Sequence, residues 1–167
     1  MSPEEIAEAA RGDIDVDLLT GTGSGGFLST GYFEDTVLID VIEDEETLQY
    51  LAQNLKKGLV NQTADGKTHV KPGSNYRSAL LVTDRRIVII VGGSQAADGD
   101  WDVSLPYADL QAVEWTTGFR KHSLILTTAA AEVTFFTRTD HDVRQIAEYI
   151  RSQINAVTRP SDGETPT

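Results

Sequence analysis

The chain contains no cysteine. Disulfides, thiolate zinc sites, iron–sulfur clusters and cysteine nucleophiles are thereby excluded. The fold must be held by burial alone, which a chain of 167 residues can achieve. Cations are also scarce: 14 Lys and Arg, of which five are Lys, stand against 26 Asp and Glu, for a formal net charge of −12. That balance disfavours nucleic acid as a general partner. It suits a protein kept soluble in concentrated salt, as in salt-accumulating archaea, or, alternatively, an ordinary acidic bacterial protein. No apolar run approaches the roughly 20 residues that a helical membrane span needs. The opening Met1-Ser2-Pro3-Glu4-Glu5 lacks the basic and apolar regions of a secretion leader. The expectation is a cytoplasmic protein, at most peripheral to a membrane.

The charge is unevenly placed. Residues 1–55 hold 13 acids and one base, Arg11, and residues 87–167 hold 11 acids and six bases. Residues 56–86 reverse the balance, with seven bases and two acids. Within this island Lys56, Lys57, Lys67, Lys71 and Arg77 fall in one stretch of chain and are the candidate binding residues for a partner or anion. They are expected to lie on one side of the molecule.

Three segments are expected. Ser2, followed by Pro3 and by Glu5, has the form of an N-cap, a proline at the first helical position and a capping box, which predicts a short helix over 3–11 ended by Gly12. With the Gly-rich stretch 21–26 this makes residues 1–43 an N-terminal extension. From 44 the pattern changes to short β-prone runs at 47–54, 78–83, 86–91, 101–105, 110–117, 123–128 and 132–137. The first also fits a helix through Leu48, Leu51 and Leu55, but strand is the preferred reading. Ile87 to Val91 is apolar on both faces, as a doubly covered strand must be. After Thr137 the period becomes 3.6: Val143, Ile146, Ala147, Ile150 and Ile154 form one stripe, predicting a helix over 140–156 capped by Thr139 or Asp140. The domain is thus placed at 44–157, and the polar, proline-containing tail 158–167 is expected to be disordered.

Seven strands closed by one amphipathic helix is the order of the pleckstrin-homology (PH) domain. The phrases Leu80-Leu81-Val82-Thr83-Asp84-Arg85-Arg86-Ile87-Val88 and Ser104-Leu105-Pro106-Tyr107-Ala108-Asp109-Leu110, with the run Val133 to Phe136, resemble the bacterial and archaeal PH-like families, including the YokE-like and GRAM-like groups. The resemblance implies a mainly β fold: a seven-stranded antiparallel sandwich or barrel capped by a C-terminal helix. It also implies a non-catalytic interaction module that binds a protein partner or self-associates. The alternative is a peripheral binder of lipid headgroups or anions, because basic residues after the first strand serve that role in lipid-binding PH domains.

Chemical motifs fail on context. Gly21 to Gly26 satisfies G-x-G-x-x-G but does not open a helix, since Phe27-Leu28-Ser29-Thr30-Gly31 follows. Gly66-Lys67-Thr68 lacks the earlier glycine of a phosphate loop, and Asp65-Gly66 reads as a hairpin turn. Asp13/Asp15/Asp17 and Asp98/Asp100/Asp102 lack the glycine and closing glutamate of a calcium loop and read as acidic surface loops. His69, His122 and His141 show no ligand spacing, and no G-x-S-x-G elbow occurs. No catalytic residue, cofactor or metal is expected.

Overall fold

The computed structural model describes residues 1–26 and 30–158. The tail expected to be disordered lies almost wholly outside them. Three short helices, α1 (Pro3–Ala9), α2 (Val16–Thr20) and α3 (Leu38–Val41), precede nine strands. These are β1 (Leu48–Asn54), β2 (Leu59–Thr63), β3 (Gly66–Val70), β4 (Ser78–Thr83), β5 (Arg86–Ser94), β6 (Gly99–Pro106), β7 (Leu110–Thr116), β8 (His122–Thr128) and β9 (Ala131–Thr137), and helix α4 (Val143–Thr158) closes the chain. Two antiparallel sheets result, ordered β1-β4-β5-β6 and β3-β2-β9-β8-β7. All seven expected strands form. Two more, β2 and β3, form a hairpin between the expected runs 47–54 and 78–83, where no strand was expected, and they join the second sheet beside β9.

Strand alternation assigns the core. Leu80 and Val82 of β4 and Ile87, Ile89 and Val91 of β5 face the second sheet, where they meet Leu59, Leu124, Leu126, Val133 and Phe135. The intervening Ala79, Leu81, Val88 and Ile90 face the other way and would stand in water. They are covered instead by Ile6, Leu18, Leu19, Phe33 and Leu38 from the N-terminal segment, which form a second core with them. The central strands β4 and β5 of the first sheet are therefore buried on both faces, while β6 at its edge remains largely open.

Polar contacts hold this outer layer in register. The Ser2–Glu5 capping box is present with both bonds at 3.2 Å. Asp15 caps α2, accepting from the Leu18 N–H at 3.4 Å, and Asp100 accepts from the N–H groups of Glu34, Asp35 and Gly93, each at 2.8 Å. These bonds are the work of the central residue in each Asp-x-Asp-x-Asp run. Glu46, whose side chain is 1 % exposed, accepts from Arg86 Nε at 2.8 Å, from the Thr83 hydroxyl at 2.7 Å and from its own loop at the Glu43 N–H. Tyr107 donates to the Thr83 carbonyl at 2.6 Å. The two phrases that carried the family resemblance thus meet at Thr83.

Helix α4 begins later than the sequence suggested. Its cap is Asp142, which accepts from the Gln145 N–H at 3.0 Å, because residues 138–141 form a turn that places His141 Nε2 to accept from the Gln53 N–H at 3.2 Å. Burial holds His141 below the usual histidine range, in keeping with a neutral acceptor. The five stripe residues are all buried, packing on β7, β8 and the 3-10 turn Tyr107–Asp109.

Two measurements check this packing. Ile150→Asp removes a side chain with 0 % exposure and buries a charge, and urea unfolding should show a loss of about 4 kcal/mol or more. An unchanged midpoint would contradict the placement of α4. Burial raises the Glu46 pKa, but Arg86, the Glu43 N–H and Thr83 outweigh it, so the folded value lies below the ordinary 4.5. Its contribution is present above the unfolded pKa and is lost as pH falls through the lower folded value. Glu46→Gln should be less stable at neutral pH and show a shallower acid slope below about pH 4.5.

Candidate docking surface

The open side of the second sheet is organised around Asn54, the buried last residue of β1. Its amide donates to the carbonyls of Gly58 (3.1 Å) and Phe136 (2.6 Å), and its oxygen accepts from the N–H groups of Lys57 (3.1 Å) and Gly58 (2.8 Å). The turn 55–58 is thereby fixed, with Lys56 and Lys57 outside it. Gly58 has φ +61°, and a Cβ there would collide with the Val70 carbonyl, so only glycine lets the turn lie against the end of β3.

The hairpin brings further cations to this turn. Val70 faces inward, so Lys67 and His69 share the outer face of β3, and Lys71 leaves the strand beside Gly58. His69 Nε2 donates to the Lys57 carbonyl at 2.7 Å, and its ring lies edge-on to Phe136 with centroids 6.3 Å apart. Over the Phe136 ring, 4.0 Å from its centroid, lies Lys121 Nζ from the turn between β7 and β8. The chain's five lysines are thus Lys56, Lys57, Lys67 and Lys71, all exposed, and the half-buried Lys121. Among the described residues none of them makes an ion pair. A cleft of about 360 Å³ opens beside them, lined by His69, Lys71, Ser74, Ser94 and Gln95 among others.

Arg77 has a different task. Its guanidinium donates to the Gly31 carbonyl (2.7 Å), the Thr30 carbonyl (2.9 Å) and Gln53 Oε1 (2.8 Å), and lies 4.4 Å from the Tyr32 ring centroid. It clamps the N-terminal segment through backbone carbonyls and an aromatic face, where a planar fork of donors is what the geometry requires. Six other arginines are similarly occupied. Arg85, Arg86, Arg138 and Arg144 pair with acids, Arg11 lies over Tyr149, and Arg151 donates to the Val113 carbonyl. Sequence reasoning missed Lys121, because it follows the other four lysines by 50 residues and reaches them only through Phe136.

A family model described as bacterial PH domain matches residues 41–152. The chain belongs to the bacterial PH-domain family. Solved structures similar to it at low identity include the following two. A pleckstrin-homology-domain protein from Shewanella loihica shares 16 % identity over 70 % of this chain and 89 % of its own, with a TM-score of 0.42. The hSac2 domain of the human phosphoinositide phosphatase Sac2 shares 13 % over 74 % and 79 %, also at 0.42. Among curated proteins none matches this PH-domain chain by sequence. No helix of the described residues is long and apolar enough to cross a membrane.

The division between clamping arginine and displayed lysine is measurable. Arg77→Ala should cost about 2–3 kcal/mol, from three charge-assisted hydrogen bonds and a cation–π contact. Alanine at Lys56, Lys57, Lys67 or Lys71 should stay within about 0.5 kcal/mol of the parent. Equal effects in thermal unfolding would contradict the division.

Proposed function

We propose that this PH domain is a non-catalytic, cytoplasmic docking module that holds an acidic protein segment on its lysine face. The observation that carries the reading is the convergence of Lys56, Lys57, Lys67, Lys71 and Lys121, without acidic partners, beside the cleft at His69 and Lys71. Lysine ammonium groups on a rigid turn and hairpin offer point charges that several carboxylate geometries can meet. The rest of the surface is acidic, so complementary charge orients an anionic partner towards this side and repels it elsewhere. Ser74, Ser94 and Gln95 offer neutral donors for a carboxylate entering the cleft.

The same cations could serve an anionic lipid headgroup, and one pair of assays separates the two. A fluorescent glutamate-rich peptide should bind at low salt, and Lys56→Glu with Lys57→Glu should weaken it about tenfold or more. The difference should shrink near 1 M salt, where the screening length is about 3 Å. Flotation of the protein with anionic vesicles, abolished by the double reversal and unaccompanied by peptide binding, would reassign the surface to lipid. Binding of neither by the parent protein would remove the lysine face as a site.

A further inference from the structure

A plug and a socket of matching chemistry lie at opposite ends of β1. The plug is Phe119, 96 % exposed at the turn between β7 and β8. Gly118 shapes that turn: its N–H donates to His122 Nδ1 at 3.3 Å, and a Cβ there would collide with the Lys121 carbonyl. The phenylalanine is therefore held out from the body, followed in the turn by Arg120 and by Lys121, whose ammonium lies over Phe136. Neither cation has an acid within ion-pair distance among the described residues.

The socket is a groove of about 470 Å³ where α1 and α3 meet the start of β1. Ile6, Ile39 and Ile42 give it apolar walls, and Asp40, Glu43 and Asp44 stand among its lining residues. Among the described residues Glu43 alone of these acids has a cation within ion-pair distance, Arg86 at 3.5 Å, and Met1 also lines the groove. An aromatic ring followed by two cations fits an apolar groove edged by carboxylates, with the ring buried and the charges paired at the rim.

We infer that the Phe119 turn of one copy of this chain docks into the α1–α3 groove of a second copy. The occupant is a second copy because both halves of the match are present on the one chain, and because the turn cannot reach its own groove. Leu48, which begins β1, lines the groove, whereas Asn54, which ends it, is bonded to Phe136, over whose ring Lys121 lies. Those seven residues of strand hold the two sites about 20 Å apart. Two molecules of this net charge repel in most orientations, and basic turn against acidic groove is an orientation in which they attract. The contact joins unlike patches, so it leaves a free plug and a free socket and extends head to tail unless it closes on itself. This assembly goes beyond the lysine-face reading and does not require it.

Sedimentation of the full chain over increasing concentration should show an average mass rising above that of one chain. Phe119→Ser, and separately Asp40→Lys with Asp44→Lys, should each weaken assembly at least tenfold, whereas Lys56→Glu with Lys57→Glu should leave it unchanged. Mixed in equal amounts, the plug variant and the socket variant should form a dimer and stop there, since one intact plug meets one intact socket. Because the chain has no cysteine, Thr117→Cys, exposed in the same turn but outside the plug's ring and cations, gives a single attachment point for a spin label, which should broaden the resonances of Ile39 to Asp44 in an isotope-labelled second copy. That experiment also decides the matter should the socket variant fail to fold. A mass that stays at one chain at every concentration, assembly unaffected by Phe119→Ser, or broadening confined to another surface would overturn the inference.

Discussion

Strands β4 and β5 leave no face for water. Every residue of β4 is buried, as are Ile87 to Val91 of β5, with their side chains pointing alternately to both sides of the sheet. A sandwich supplies cover for one side only, through the second sheet and α4. The other side requires another layer, and Leu18, Leu19, Phe33 and Leu38, all at 0 % exposure, provide it. Much of the remaining architecture serves to keep that layer in place: Asp100 on the backbone of Glu34 and Asp35, Arg77 on Thr30 and Gly31, Arg86 on the Val41 carbonyl.

The cover also decides which surfaces remain for partners. With the outer faces of β4 and β5 closed, the accessible features include the second sheet's hairpin, the loop ends and the groove between α1 and α3. Arginine and lysine are divided accordingly. Most of the arginines clamp segments to one another through forked donors, while Lys56 and Lys57, on the turn fixed by Asn54, and Lys67 and Lys71, on the hairpin beside it, end in water. A net charge of −12 that would otherwise favour keeping copies apart is offset locally at two places, the lysine face and the Phe119 turn. Both are open to partners of complementary charge.

The sandwich and its closing helix were legible in the sequence because their residues alternate with the period of the structure they form. Ile87 to Val91 announced a doubly covered strand, and the stripe from Val143 to Ile154 announced the helix. The hairpin of β2 and β3 was not legible as strands, although its Asp65-Gly66 turn was. Gly66 to His69 are exposed, so no apolar alternation marks β3. Helices α2 and α3 are five and four residues long, too short to display a helical period. Of the candidate site, the four hairpin lysines could be picked out from local charge. Arg77 belonged to the same charge run but has the opposite role, which depends on the distant carbonyls of Thr30 and Gly31. Phe119 did carry a signal, a large apolar residue alone in a polar turn, but the groove that matches it is assembled from three separate elements.

Native-state hydrogen exchange tests the two-sided burial most directly. The amides of Leu18, Gly21 and Tyr32 bond to the Asp15, Asp17 and Gly23 carbonyls within the covering layer, and those of β4 and β5 bond within the sheet. If the layer and the sheet are one cooperative unit, both sets should exchange with opening free energies within about 1 kcal/mol of each other. Exchange of the covering amides by a much less costly opening, with β4 and β5 still protected, would show that the sheet does not need its second cover and would contradict the account.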